Sequence, residues 1–207
     1  MLSTVTTPTP SLPEHSNPTV VRLFEAAADA FADKGFHATT TRDIASRAGL
    51  SPAGVYVHFT SKEDLLFQLS RVGHEGARDA LAAAAAEADS PTDALQEVIS
   101  AFARWHAEQH QVARIVQYEF RHLSPEHQRE VLTLRREIDE VVGRIIADGV
   151  ATGEFSVEDT KATALAALSL VVDVARWYHP GVRRTPEDIG ASYGPLALRL
   201  VGAQERR

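Results

Sequence analysis

The stretch TTTRDIASRAGLSPAGVYVHFTSKEDLL, Thr39 to Leu66, decides the fold, because it carries three helix starts separated by two tight turns. Thr40 is placed to cap a helix whose third residue is Asp43, a reciprocal Thr-x-x-acid arrangement that satisfies backbone donors at the helix start. Ile44, Ala45 and Ala48 recur at helical spacing. Gly49 follows the last of them, where a left-handed cap is cheapest. Leu50 plugs the corner, and Ser51 caps a second helix with Pro52 at its first position, where a missing N–H costs nothing. That helix carries Ala53, Gly54, Val55, Tyr56, Val57 and His58, and Phe59-Thr60 ends it. Ser61-Lys62-Glu63-Asp64 opens a third helix. Lys62 falls in its first turn, which disfavours a cation unless an anion such as a DNA phosphate lies nearby.

Two short helices around a tight corner, the second starting with small residues, suit entry into a DNA major groove. The segment resembles the DNA-binding domain of the TetR family of bacterial transcription regulators. The resemblance runs from the Phe24–Phe31 helix through Gly35-Phe36-His37-Ala38-Thr39-Thr40, Arg42-Asp43-Ile44-Ala45, Ala48-Gly49, Tyr56, His58-Phe59 and Ser61-Lys62-Glu63. It implies that Thr40, Tyr56, His58 and Lys62 touch phosphates. It also implies that Arg42, Ser51, Pro52, Ala53 and Gly54 face base edges and that Thr41 belongs to the same DNA-facing set. The reading helix lacks Arg, Asn and Gln, so Arg42 is expected to supply the main polar base contact, with Ala53, Gly54 and Val55 near thymine methyls or sugar edges. Val57 suits the domain core and the DNA equally.

The 207-residue chain is 44% hydrophobic, enough for a small domain and a larger one. No apolar run is long enough to span a membrane, and the N-terminus lacks the basic-then-apolar order of a secretory signal, so a cytoplasmic address is expected. The absence of Cys excludes disulfides, thiolate catalysis and Cys-based metal centres. The net charge of −7 is unusual for a DNA binder. Its distribution matters more: Thr39 to Lys62 sums to +2, from Arg42, Arg47 and Lys62 less Asp43. So little positive charge predicts weak binding to random DNA and dependence on a fitted site.

Residues 1–17 are rich in Pro, Ser and Thr and read as a disordered tail. A helix-turn-helix domain spans 18–66 and a helical effector-binding and dimerisation domain 67–203. The helix from Ser61 is expected to run through Ala80–Ala86, roughly 40 Å at the usual rise. Asp89-Ser90-Pro91 breaks it. Further helical patterns cover Pro91 to Gln109, His110 to His122, Ser124 to Ala151, Ser156 to Tyr178 and Thr185 to Val201. No segment alternates like a strand, so the fold class is all-α.

Ala162 to Val174 is apolar around its circumference and needs cover on every side. Leu165, Leu168, Val171 and Val174, with Tyr193, Leu196 and Leu200 of the last helix, are the candidate dimer interface; Gly190 and Gly194 permit close approach. Burial within one subunit is the competing reading for half of these side chains. The TetR resemblance implies a four-helix bundle between two copies. A homodimer places two reading helices about 34–36 Å apart, which predicts a near-palindromic double-stranded DNA operator.

A regulatory pocket would draw on Trp105, Val112, Ile115, Val116, Phe120, Leu134, Ile138 and Trp177, with Glu119 and Asp173 as orienting polar groups. Ordinary core packing is the competing reading for each. Arg114 to Phe155 resembles regulators of lipid or steroid breakdown, which implies a lipid, steroid or acyl-CoA-like effector. His106 and His110 stand four apart, with His122 and His127 beyond, but two imidazoles do not complete a metal site, and packed histidines are expected. No HExxH, GxSxG, P-loop or post-strand GxGxxG occurs, so neither catalysis nor a cofactor is expected. The function expected is a homodimeric repressor released from its operator by an effector. A small all-α enzyme or carrier with a protein-binding head, and a DNA-binding activator, are the alternatives.

Overall fold

The computed structural model of the chain describes residues 17–203, so residues 1–16 of the expected tail lie outside the described residues. The fold is all-α: α1 Pro18–Ala38, α2 Thr41–Arg47, α3 Pro52–Tyr56, α4 Lys62–Glu87, α5 Pro91–Glu108, α6 His110–Tyr118, a 3-10 turn Phe120–His122, α7 Pro125–Thr152, α8 Thr160–Val172, α9 Val174–Trp177 and α10 Pro186–Leu200. The caps read from sequence recur in it. Asn17 accepts from Thr19 N, the Thr40–Asp43 box closes in both directions, and Ser51 accepts from Gly54 N. At the end of α2, Gly49 adopts φ +67° while Leu50 N donates to Ala45 O and Gly49 N to Ser46 O, the paired bonds of a Schellman cap.

The chain forms two compact units. A head unit contains the described residues through Glu75 and also Gln111–Leu134. Its core joins Leu23, Phe24, Ala27 and Phe31 of α1 to Ile44, Ala45, Val55, Phe59, Leu65 and Leu66. Ile115, Leu123 and Val131 are part of that core, although the sequence reading assigned them to the effector body. Their packing partners are distant in sequence, so no local periodicity could assign them.

The body unit contains Gly76–His110 and the chain from Arg135 onward. Leu95, Val98, Ile99 and Phe102 of α5 pack with Val142 and Ile146 of α7, Leu168 and Val171 of α8, Val174, and Ile189 of α10. Gly190 and Gly194 serve this packing rather than a dimer contact. A Cβ on Gly190 would stand 2.8 Å from Ser100 O, and one on Gly194 would stand 2.9 Å from Gln96 O, so α10 lies against α5 where only glycine fits.

Two helices differ from expectation. Ser156 to Tyr178 is not one helix: Ser156 N pairs with Val201 O, and Asp159 caps the real start by accepting from Ala162 N. The helix is interrupted again at Asp173, which separates α8 from α9. The expected reading rod Ser51–Phe59 is shorter, since α3 ends at Tyr56 and both His58 N and Phe59 N turn back to Val55 O. No helix among the described residues is long and apolar enough to cross a membrane.

Candidate nucleic-acid interface

The outer side of α2 and α3 is built by what the head core takes away. Val55 is buried, so it belongs to the core and not, as expected, near a thymine methyl. Ser51, Pro52, Ala53 and Tyr56 remain exposed. Val57, for which the sequence left two options open, is 78% exposed and faces outward. Tyr56 Oη lies 3.2 Å from Thr41 Oγ1, which ties the end of α3 to the start of α2. Gly54 meets only ordinary contacts, with Leu50 Cβ and Ser51 Oγ each 3.6 Å from a built Cβ. Nothing inside the chain requires glycine there. His58 is half-buried, its ring 6.5 Å from that of Phe59.

Charge pairing narrows the cations available to an anion. Arg47 binds Asp33 at 2.6 Å, and Lys34 binds Asp43 at 2.9 Å. Hydrogen bonds from Thr40 first, and then from Lys34, hold the Asp43 carboxyl far below the ordinary carboxylate range. Thr40 Oγ1 donates to Asp43 Oδ2 at 2.6 Å and accepts from Asp43 N, so this expected phosphate contact is engaged as a cap.

Lys62 departs from its expected role. Its Nζ donates to Phe36 O, to Thr39 O at 2.6 Å and to His37 O at 3.4 Å, and lies 4.3 Å from the centre of the Phe36 ring. The ammonium therefore caps the carbonyl end of α1, where the helix dipole favours a cation. With three donors and three carbonyls, it has no N–H left to aim at a phosphate. Burial pushes its pKa below the usual lysine value, opposed by the charge of Glu119. Arg42 is exposed and has no ion-pair partner among the described residues, which leaves it as the cation of α2 and α3 free to meet DNA.

The head unit also holds a set of contacts that sequence reasoning missed. His122 stacks on Phe36 at 5.1 Å with planes 7° apart, stands edge-on to His37 at 4.1 Å, and approaches Glu119 at 3.2 Å. Burial lowers the His122 pKa, with the charges of His37, Arg121 and Lys62 acting the same way and Glu119 opposing. Glu63 accepts from Ser124 N at 2.8 Å and pairs with His127, whose ring stacks on Phe67 at 3.7 Å. Aromatic and acidic residues separated by sixty and more positions carry no sequence signal of such contacts.

The expected effector lining is distributed over both units. Ile115 is in the head core with Val112 and Phe120 packed against it, while Val116 and Leu134 also belong to the head unit. Glu119, expected to orient a ligand, pairs with His122 instead. In the body, Ile138 is a core residue and Trp105 and Trp177 pack on the same cluster. Asp173, the other expected orienting group, is held by Arg176 Nε at 2.6 Å, and this bond keeps its pKa low. Tyr193 is half-buried, and burial raises its phenol pKa. Trp105 Nε1 is buried with no hydrogen-bond partner among the described residues. An unpaired buried donor costs about 1–3 kcal/mol. His106 directs Nδ1 to Phe102 O within α5, and His110, the first residue of α6, directs Nδ1 to Ala107 O at the end of α5, both at 2.9 Å.

Of the candidate dimer residues, Leu168, Val171 and Val174 are buried in their own subunit's core, and Tyr193 packs against that core. An inward face of α8 takes Ala164, Ala167, Leu168 and Val171, so an all-round apolar helix still had an inside that periodicity could not identify. Leu165 (60%), Leu196 and Leu200 remain exposed, joined by Leu170 (54%).

A capped two-helix reader with an outward arginine, set in an all-α chain, defines the class of helix-turn-helix transcription regulators. Residues 23–69 match the family described as bacterial regulatory proteins, tetR family, and residues 88–201 match the tetracyclin repressor-like C-terminal domain. The chain is 32% identical over 184 residues to the HTH-type transcriptional repressor KstR2 of Mycolicibacterium smegmatis, covering 87% of this chain and 88% of that protein. A crystal structure of a tetR-family regulatory protein from Rhodococcus RHA1 superposes with a TM-score of 0.85 at 40% identity, covering 92% of this chain and 100% of that one. The fold is shared with AibR, solved in complex with isovaleryl coenzyme A and operator DNA, at a TM-score of 0.79 and 19% identity, covering 90% of this chain and 100% of that one. The chain belongs to the TetR family of bacterial transcriptional regulators. It is a DNA-binding regulator, not an enzyme.

Proposed function

We propose that the protein is a cytoplasmic homodimeric repressor that binds a near-palindromic operator and leaves it when an apolar or acyl-CoA-like effector enters the body unit. The observation that carries the DNA half of this reading is the exposure of α2 and α3 residues: Arg42, with no ion-pair partner among the described residues, is exposed, as are Ser51, Pro52, Ala53 and Tyr56. Arg42 reads a base edge. Thr41, Tyr56 and His58 bracket it along the backbone, and Ala53 with Gly54 gives close, largely apolar contact.

Leu165 and Leu170 of α8, with Leu196 and Leu200 of α10, are large exposed apolar side chains on neighbouring helices of one unit. They are the proposed dimer face, since a second copy would cover them by the same surface on both sides. The likeness to the ketosteroid transcriptional regulator KstR2 of Mycobacterium tuberculosis and the isovaleryl coenzyme A complex of AibR favour a lipid, steroid or acyl-CoA effector. Trp105, Ile138 and Trp177 are its proposed contacts in the body. Linkage requires the effector to bind the operator-free state more tightly.

The test is a titration of the purified protein on the DNA upstream of its own gene, with molar mass measured alongside. The expected result is a dimer that binds this DNA and a monomeric, non-binding Leu165→Glu/Leu196→Glu variant. A monomeric wild type, or operator binding unchanged in the variant, contradicts the proposal.

A further inference from the structure

We propose that the Trp105 indole N–H reads a neutral carbonyl oxygen on the effector, making Trp105 a specificity-determining residue for a carbonyl-bearing apolar ligand. This rests on the reading of the body as an effector-binding unit and adds the chemistry by which it selects. An indole nitrogen is a donor only, so whatever completes it must be an acceptor. No described protein atom does so.

The surroundings restrict the acceptor. Trp105 stacks on Phe102 with ring centres 6.1 Å apart and planes at 20°, and the His106 ring stands edge-on at 5.0 Å. The Nδ1 of that imidazole is already turned to Phe102 O. A water needs two to four polar partners to stay in such a place, and Phe102 offers none from its ring. A carboxylate there would carry a full charge against an apolar surface, which burial penalises heavily. A neutral carbonyl embedded in hydrocarbon, as in a thioester or a ketone, meets both conditions. The discrimination follows from the donor: a ligand without the oxygen leaves the indole unpaired, as a site built to hydrogen-bond rejects analogues lacking the matching group.

The experiment uses full-length protein with 15N-labelled indoles, the two signals being assigned with Trp105→Phe and Trp177→Phe. The probes are isovaleryl-CoA and stearoyl-CoA, and for each the S-alkyl-CoA thioether that lacks the carbonyl. The expected result is that at least one thioester moves the Trp105 indole proton downfield while its thioether does not. Trp105→Phe, which keeps the stack on Phe102, is expected to bind that thioester about tenfold more weakly, about 1.4 kcal/mol, with thioether affinity unchanged. A Trp105 signal that stays still with all four compounds overturns the proposal, as does an equal shift with thioester and thioether, or undiminished thioester binding by Trp105→Phe. Operator binding by the ligand-free protein is measured in parallel. Its loss overturns the repressor reading, whereas an operator released by a compound that leaves the indole unmoved overturns only the role of Trp105.

Discussion

Replacing Lys62 with Met should damage stability and leave electrostatic contact with DNA intact. Met keeps most of the apolar stem over Phe36 while removing the ammonium that donates to Phe36 O, His37 O and Thr39 O. A cation at a helix carbonyl end contributes about 0.3–2 kcal/mol, and hydrogen bonds from charged groups contribute about 1.5–3 kcal/mol. Lys62 is half-buried, so water can replace part of the lost interaction, which sets the net loss at about 2 kcal/mol. For a chain of this length that corresponds to a fall in Tm of about 4–8 °C. Calorimetry or thermal circular dichroism measures it, while operator titrations at several salt concentrations measure charge contact. The slope of log K against log salt should match wild type. A Tm within 1 °C of wild type, together with a slope flattened by about 0.9 per monomer, would refute the capping argument and restore Lys62 to the phosphates.

Gly54→Ala should fold at least as well as wild type, because a Cβ there meets only ordinary contacts and alanine is about 1 kcal/mol the better helix former. Operator affinity should nevertheless fall about tenfold or more if the α3 backbone approaches the groove floor; unchanged affinity would place Gly54 away from DNA. Gly190→Ala should behave in the opposite way, lowering Tm despite the same propensity gain, since overpacking of about 1–3 kcal/mol follows from the 2.8 Å approach to Ser100 O. A stabilised Gly190→Ala protein would contradict that packing. Because the folded His122 pKa lies below its ordinary value of 6.5, the unfolded chain binds more protons in that range, and stability present above pH 6.5 is lost as the pH falls toward the folded pKa. His122→Phe, which keeps a ring on Phe36, should therefore lose less Tm than wild type between pH 7.5 and 5.5; identical losses would remove His122 from the account.

How far the sequence could be read depended on whether a contact was local. Thr40, Asp43, Gly49 and Ser51 act on backbone within a few positions, and the structure carries each as expected. The interruption at Asp173 was not legible, because the apolar run of α8 continues across it. Nor was the placement of Ile115, Leu123 and Val131 in the head core, which depends on packing partners across the chain. For Lys62 the sequence showed a cation in a disfavoured position but not the compensating group, and the three carbonyls that compensate it come from the end of α1 and its cap residue Thr39. On α8 and α10 composition identified apolar helices, while only the packed body separates the inward Leu168 and Val171 from the outward Leu165 and Leu170.

The most direct test of the central claim is quantitative footprinting on the chain's own upstream DNA, with wild-type protein and Arg42→Ala compared in the presence of random competitor. The wild type should protect two half-sites about one helical turn apart, and the variant should lose about 1–3 kcal/mol of discrimination. Protection no stronger than on random DNA, or an Arg42→Ala footprint with unchanged affinity and sequence preference, would contradict that claim.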